Sequence, residues 1–416
     1  MSKQYKANRK PRGGKKTFTC PLLSIEEREA VRVAMADIDH PTKGILATVN
    51  NHGYFIVPDL FSKADILQAQ EAMQHDILEL VDDSKILSGS AMERAWKRFL
   101  QHGPAALPKR TAEVIGNIGR FQKCGFPQGR FAWFCRTHPN VKRVYEVLHG
   151  TTELVSSMDN SFFANGNASE EITNRYSPHV DLNENISDEF RSWEVYQGLV
   201  YVWSSEASKS STTVVWPRSH KPEIFSAYTN DPKSKRSASR GLHFSHLAAL
   251  TPGPVKEAMD RGFRENARRA TVPAGGGLFW SSRTTHQGWS GGPRLAQPVC
   301  WEPICRRTGE AFHRKLFLAA SGLPSTHWAS LGQPHNLVPP KTPKETAGRE
   351  DSSSGSNEDD IVFPLRPTIG SVALEAHISP MDVWDQIENV KPNKPLPVEL
   401  VEFLKNAVAA KYKSIL

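Results

Sequence analysis

Residues 196–205 read YQGLVYVWSS, a run of β-branched and aromatic residues closed by two serines. That composition suits a buried pleat better than a helix. Three later runs share the character: STTVVWP at 211–217, ATVPAGGGLFWSS at 270–282 and LAQPVCWEPI at 295–304. An earlier one, ELVSSMDNSFF at 153–163, opens the series. Short strands at this density, separated by Gly, Pro, Ser or Asn, predict an antiparallel sandwich or barrel. The expected fold class is therefore mainly β with flanking helices (α+β), with PVKEAMDRGFRENARR at 254–269 as an inserted helix or loop.

Upstream, two helix starts are signalled. Ser24 precedes IEEREAVRVAMADI with Glu27 three residues on, and Ser62 precedes KADILQAQEAMQHDILELV with Asp65 in the same relation. In this spacing the hydroxyl and the carboxylate each accept a backbone N–H. Between them, GYFIVPDLF at 53–61 reads as a strand stopped by Pro58. Residues 100–135, rich in Gly, Pro and basic residues, read as an irregular loop, and a helix follows at about Val141–Leu148.

The chain's 416 residues are ample for a large core, and its net charge is +8. Residues 1–16 hold seven basic residues and no acid, so the remainder is nearly neutral. The expected organisation is a disordered basic tail at 1–17, one large domain at 18–340, a disordered polar linker at 341–360 and a helical appendage at 361–416. Leu400, Leu404 and Val408 form the apolar stripe of that appendage. The tail is either a nuclear address, a loose contact for nucleic acid, or a solubilising extension. No apolar stretch is long enough to span a bilayer, and the start lacks a secretory core. The expected location is cytoplasmic or nuclear, not secreted. Five cysteines without a C-x-x-C pair argue against a disulfide framework or a zinc ribbon.

Within SPHVDLNEN, His179 and Asp181 are spaced i and i+2, which on a strand places both on one face. A second His, His286, follows the strand-like GGGLFWSS, and Arg294 comes eight residues later. Two histidines and one carboxylate on one face leave positions open on a metal, the arrangement of non-haem Fe(II) oxygenases. The Arg fork suits the far carboxylate of a dicarboxylate cosubstrate. His243 and His246, at i and i+3, lack a nearby carboxylate and read as packing or surface residues. His220 reads as structural or as lining a cavity mouth, and Trp289 as a candidate to shape a pocket.

Over about Ile45–Trp301 the chain resembles the phytanoyl-CoA dioxygenase family of double-stranded β-helix (jelly-roll, cupin-like) oxygenases. The resemblance rests on NNHGYFIVPDLFSKADILQAQEAM, on YQGLVYVWSS followed by TTVVWPRSHK, and on GGGLFWSSRTTHQG. Arg218 stands where that family's turn usually has Gly, and the His286–Arg294 spacing is short. By position, the resemblance implies that His179, Asp181 and His286 are catalytic iron ligands. It implies cosubstrate contacts from Arg294 and Gln197, with Arg283 and Arg306 as alternatives for the carboxylate. The implied cofactors are Fe(2+), 2-oxoglutarate and O2, with ascorbate as a reductant. The implied activity is hydroxylation of a small-molecule or acyl-type substrate, yielding succinate and CO2. A non-catalytic binding protein on the same fold and a different metal enzyme, such as an isomerase, are the competing expectations. Nucleic acid enters only through the basic tail.

Overall fold

Thirteen short strands carry the described part of the chain, a computed structural model that describes residues 18–83, 120–121, 126–164, 174, 176–239, 241–308 and 324–331, together with Ala311, Lys315 and Leu318. The expected basic tail, the linker at 341–360 and the appendage at 361–416 lie outside the described residues. The strands are β1 (Tyr54–Val57), β2 (Arg120–Phe121), β3 (Leu154–Ser156), β4 (Ser161–Ala164), β5 (His179–Val180), β6 (Tyr196–Tyr201) and β7 (Thr212–Val215). They continue with β8 (Ser245–His246), β9 (Arg268–Arg269), β10 (Gly276–Ser281), β11 (His286–Trp289), β12 (Arg294–Val299) and β13 (Trp301–Pro303). One sheet has the order β1-β10-β6-β12-β4-β2, a second β8-β5-β11-β7-β9, and β13 pairs β3. All of these strand pairs are antiparallel.

Alternation along the strands explains the layering. In β1, Phe55 and Val57 join one core cluster while Tyr54 and Ile56 join another. β6 and β10 split the same way, with Val200 and Phe279 on the first face and Leu199, Tyr201, Leu278 and Trp280 on the second. The first face packs under helices: Met73, Phe131, Val144 and Tyr145 share its cluster. The second includes Val215 of the other sheet. The six-stranded sheet thus lies between a helical layer and the five-stranded sheet. Both faces are buried, which is why its strands read as nearly continuous apolar runs. Each buried aromatic side chain contributes about 2–3 kcal/mol.

Both capping boxes form. Glu27 N–H donates to Ser24 Oγ at 3.1 Å and Ser24 N–H to Glu27 Oε2 at 2.9 Å. Asp65 N–H donates to Ser62 Oγ at 3.2 Å and Ser62 N–H to Asp65 Oδ2 at 2.8 Å. The second opens the long helix Lys63–Asp83, as expected. The first helix is only Ile25–Glu29, shorter than the sequence predicts. Beyond it, Val31 and Val33 are buried and their backbone bonds Ile56: Ile56 N–H to Val31 O at 2.8 Å, and Val33 N–H to Ile56 O at 2.9 Å. A free edge on β1 outcompetes the helical pattern for this β-branched segment.

Residues 130–135 of the expected loop fall in the helix Arg130–Thr137, followed by Pro139–His149 where a helix was expected. Residues 100–119 and 122–125 lie outside the described residues. The inserted segment is the helix Pro254–Asn266. Among the described residues no helix is long and apolar enough to cross a membrane.

Candidate metal centre

The two-residue strand β5 sits between β8 and β11, and its register places His179 opposite both His246 and His286. Sequence positions 107 residues apart thus become neighbours across one ladder. Asp181 follows at i+2. Its carboxylate lies 3.8 Å (Oδ1) from His179 Nε2 and 3.2 Å (Oδ2) from His286 Nε2. Donor atoms of His179, Asp181 and His286 all lie within 4.8 Å of one another, the spacing of a group able to hold one metal ion.

The far side of each ring defines its tautomer. His179 Nδ1 lies 2.9 Å from Ser177 O, and His286 Nδ1 lies 3.1 Å from Thr284 O. A carbonyl only accepts, so each Nδ1 carries the proton. Each Nε2 then presents a lone pair, and both lone pairs face the Asp181 carboxylate. A lone pair against a carboxylate oxygen at 3.2 Å requires a positive charge between them, either a second ring proton or a metal ion. Burial pushes the His179 imidazole down to about 4, with His286 adding to the effect and Asp181 opposing it. Burial also works to raise the Asp181 carboxyl, but the surrounding His286, His327 and His179 rings hold it well below the usual carboxylate range. A neutral imidazole and an ionised carboxylate are the states a divalent cation needs. The donor set therefore fits a metal.

The three residues border a cavity of about 490 Å³ between the two sheets. Arg294 starts β12 and shares a strand face with Ala296, whose cluster lies between the sheets. It lines the cavity, its guanidinium 4.4 Å above the Phe162 ring and 5.5 Å from that of Tyr201. Gln197 also lines the cavity, is paired in register with Trp280, and donates Nε2–H to Ser282 Oγ at 3.3 Å. Trp280 packs on His286 with ring centroids 5.1 Å apart. Arg283 is engaged elsewhere: it bridges Glu184 and Glu194, each at 2.8 Å, and Arg306 donates to Glu194 O at 2.9 Å. Neither is among the residues that line the cavity.

Other residues separate clearly. His243 and His246 lie on extended chain rather than on a helix face; His246 packs on His179 at 4.9 Å, and His243 lines the cavity. His220 is structural, its Nε2 lying 3.0 Å from Asn50 O in the turn beneath Gly53. In that turn Arg218 has φ 63°, the left-handed conformation for which Gly is suited. Trp289 packs with Phe18 and under Arg269, away from the cavity. The residue that sequence reading misses is His327. Its Nδ1 faces Asp181 Oδ2 at 3.9 Å, yet SGLPSTHWAS carries no spacing or repeat that singles it out.

No protein-family model and no curated protein matches the chain. Among solved structures, a hypothetical protein (JW0805) from Escherichia coli is similar at 11% identity and a TM-score of 0.45, over 70% of this chain and 76% of that one. The epimerase SnoN, in complex with Fe3+, alpha ketoglutarate and nogalamycin RO, is similar at 14% identity and a TM-score of 0.34, over 65% and 84%. EctD from S. alaskensis with bound Fe is similar at 14% identity and a TM-score of 0.36, over 62% and 75%. Likenesses this distant carry no argument about activity, which rests on the site itself.

Proposed function

We propose that the chain is an Fe(II)- and 2-oxoglutarate-dependent dioxygenase of the phytanoyl-CoA dioxygenase type, with a double-stranded β-helix core within residues 18–340, that hydroxylates an organic substrate at an unactivated C–H bond. One observation carries this reading: two imidazoles whose Nδ1 atoms are tied to carbonyls aim both Nε2 lone pairs at a single part-buried carboxylate. When bound, Fe(II) with 2-oxoglutarate and O2 supplies the oxidising power, with succinate and CO2 as coproducts.

The chain's own residues do the remainder. His179 and His286 offer neutral nitrogens, and the carbonyls of Ser177 and Thr284 hold both rings in the ligating tautomer. Asp181 contributes one negative charge, so a divalent ion leaves the site with a net charge of one. Arg294, set across the cavity on the other sheet, is assigned to the far carboxylate of 2-oxoglutarate, which its planar fork can grip bidentately. The Phe162 ring beneath the guanidinium holds that fork in place and excludes water. Gln197 is assigned a polar contact to the same cosubstrate. Residual volume in the cavity is left for a small-molecule or acyl-type substrate.

The test is an anaerobic titration of Fe(II)-loaded protein with 2-oxoglutarate, followed by the visible charge-transfer band of the chelate. A band that grows with the keto acid and is absent in Asp181→Ala supports the assignment. Well-folded, iron-loaded protein that gives no band overturns it.

A further inference from the structure

Taking the metal centre above as the starting point, we propose that His327 is a positioning residue of that centre, donating its Nδ1–H to Asp181 Oδ2, the oxygen that also faces His286. Once a metal occupies the Nε2 lone pairs of His179 and His286, neither ring has a proton left for Asp181, because each Nδ1 already serves a carbonyl. A carboxylate oxygen has more than one lone pair, so Oδ2 can face a metal on one side and still be in need of a donor on the other. His327 Nδ1 lies 3.9 Å from Asp181 Oδ2, within about 1 Å of hydrogen-bond reach.

The tautomer follows from the other side of the ring. Among the described residues, His327 Nε2 is buried and has no hydrogen-bond partner. A proton there would point at nothing, whereas a proton on Nδ1 points at the anion. The segment that delivers the ring is anchored on both flanks. Met158 N–H donates to Ser325 Oγ at 3.0 Å, Ser325 N–H to Met158 O at 3.0 Å, and Ser330 N–H to Glu302 Oε2 at 2.6 Å. Lys315 Nζ adds a bond to Ala329 O at 2.6 Å. A ring so held acts as a fixed wall behind Asp181, and a donor there fixes the orientation of the carboxylate toward the metal.

Co(II) is the probe, added to metal-free full-length protein and followed by calorimetry and by its visible absorption bands, which report coordination number. The variants are His327→Phe, His327→Gln and His327→Asn. Asn places its amide nitrogen where Nδ1 sits, and Gln places its own where Nε2 sits. We expect native-like affinity and bands for Asn. For Gln and Phe we expect about 10–100-fold weaker binding with altered band intensity. Gln and Phe variants that bind Co(II) like the native protein overturn the proposal, as does an Asn variant as weak as Gln. Native protein that fails to bind Co(II) removes the metal centre itself; native binding with an unaltered Gln variant removes only the role of His327. Should Phe fail to fold, the Asn and Gln pair still decides.

Discussion

Asp76 is buried and Asp181 part-buried, and their surroundings answer the negative charge in opposite ways. Asp76, on the long helix Lys63–Asp83, accepts Arg130 N–H at 2.9 Å and Phe131 N–H at 3.0 Å. It thereby closes the N-terminus of the helix Arg130–Thr137, where free N–H groups and the helix dipole favour an anion. Gly129 belongs to the same arrangement, since a Cβ there would stand 2.4 Å from Asp76 Oδ2. Asp181 instead meets the lone-pair sides of two imidazoles. The first carboxylate is satisfied by the protein alone, and the second only with a cation. The two acids thus differ in what completes them: backbone N–H groups for Asp76, a cation for Asp181.

The largest effect expected is at the incomplete site. Asp181→Ala or His179→Ala should abolish Fe(II) binding, measured by metal analysis after desalting. The metal-free Asp181→Ala protein should remain folded, with a smaller drop in melting temperature than Asp76→Ala shows, because Asp181 faces histidine side chains where Asp76 caps a helix. A large drop in its melting temperature would place Asp181 in the same class as Asp76. Asp76→Ala should do the reverse, lowering stability by about 3 kcal/mol in urea unfolding, because two backbone N–H groups lose their acceptor. Folded Asp76→Ala protein should still bind metal.

Arg294→Ala tests the opposite wall of the cavity. It should weaken 2-oxoglutarate about 10–100-fold in the anaerobic titration, the size of a lost charge-assisted contact, while iron stays bound. Retained keto-acid affinity would remove Arg294 from the cosubstrate site.

The pH dependence separates structural from ligating histidines. Burial, then the nearby Arg306 guanidinium, holds His149 down to about 4 against the opposing Trp301 carbonyl contact. The unfolded chain takes up this proton near pH 6.5 and the folded chain only near 4. Stability should therefore be intact above about pH 6.5 and fall as pH drops from there toward 4. His149→Gln should flatten part of that fall; an unchanged curve would exclude His149 as a contributor. The smallest effect expected is Arg218→Gly, which relieves a left-handed residue and should raise stability by about 1 kcal/mol without changing metal affinity.

Local chemistry was legible wherever a few neighbouring residues decide the outcome. Ser24 and Ser62 cap helices because their own third neighbours are acidic, and Pro58 ends β1 because it lacks an N–H. The i, i+2 spacing of His179 and Asp181 set them on one face for the same reason. Where the outcome depended on a distant partner, the local pattern failed. Residues 31–33 read as helix but lie along the edge of β1, and residues 130–135 read as loop but fall in the helix whose N-terminus Asp76 caps.

The chain's sequence by itself determined the strand-rich character, the capped helices and the His179–Asp181 pair as candidates, since each follows from periodicity or spacing within a few residues, whereas His286 joined them through the resemblance. Tertiary structure alone decided that β5 registers His179 against His286, that Arg294 rather than Arg283 lines the cavity, and that His327 stands behind Asp181. Those outcomes depend on which strand edges and buried charges meet across more than a hundred residues of chain, and no local rule encodes such a meeting.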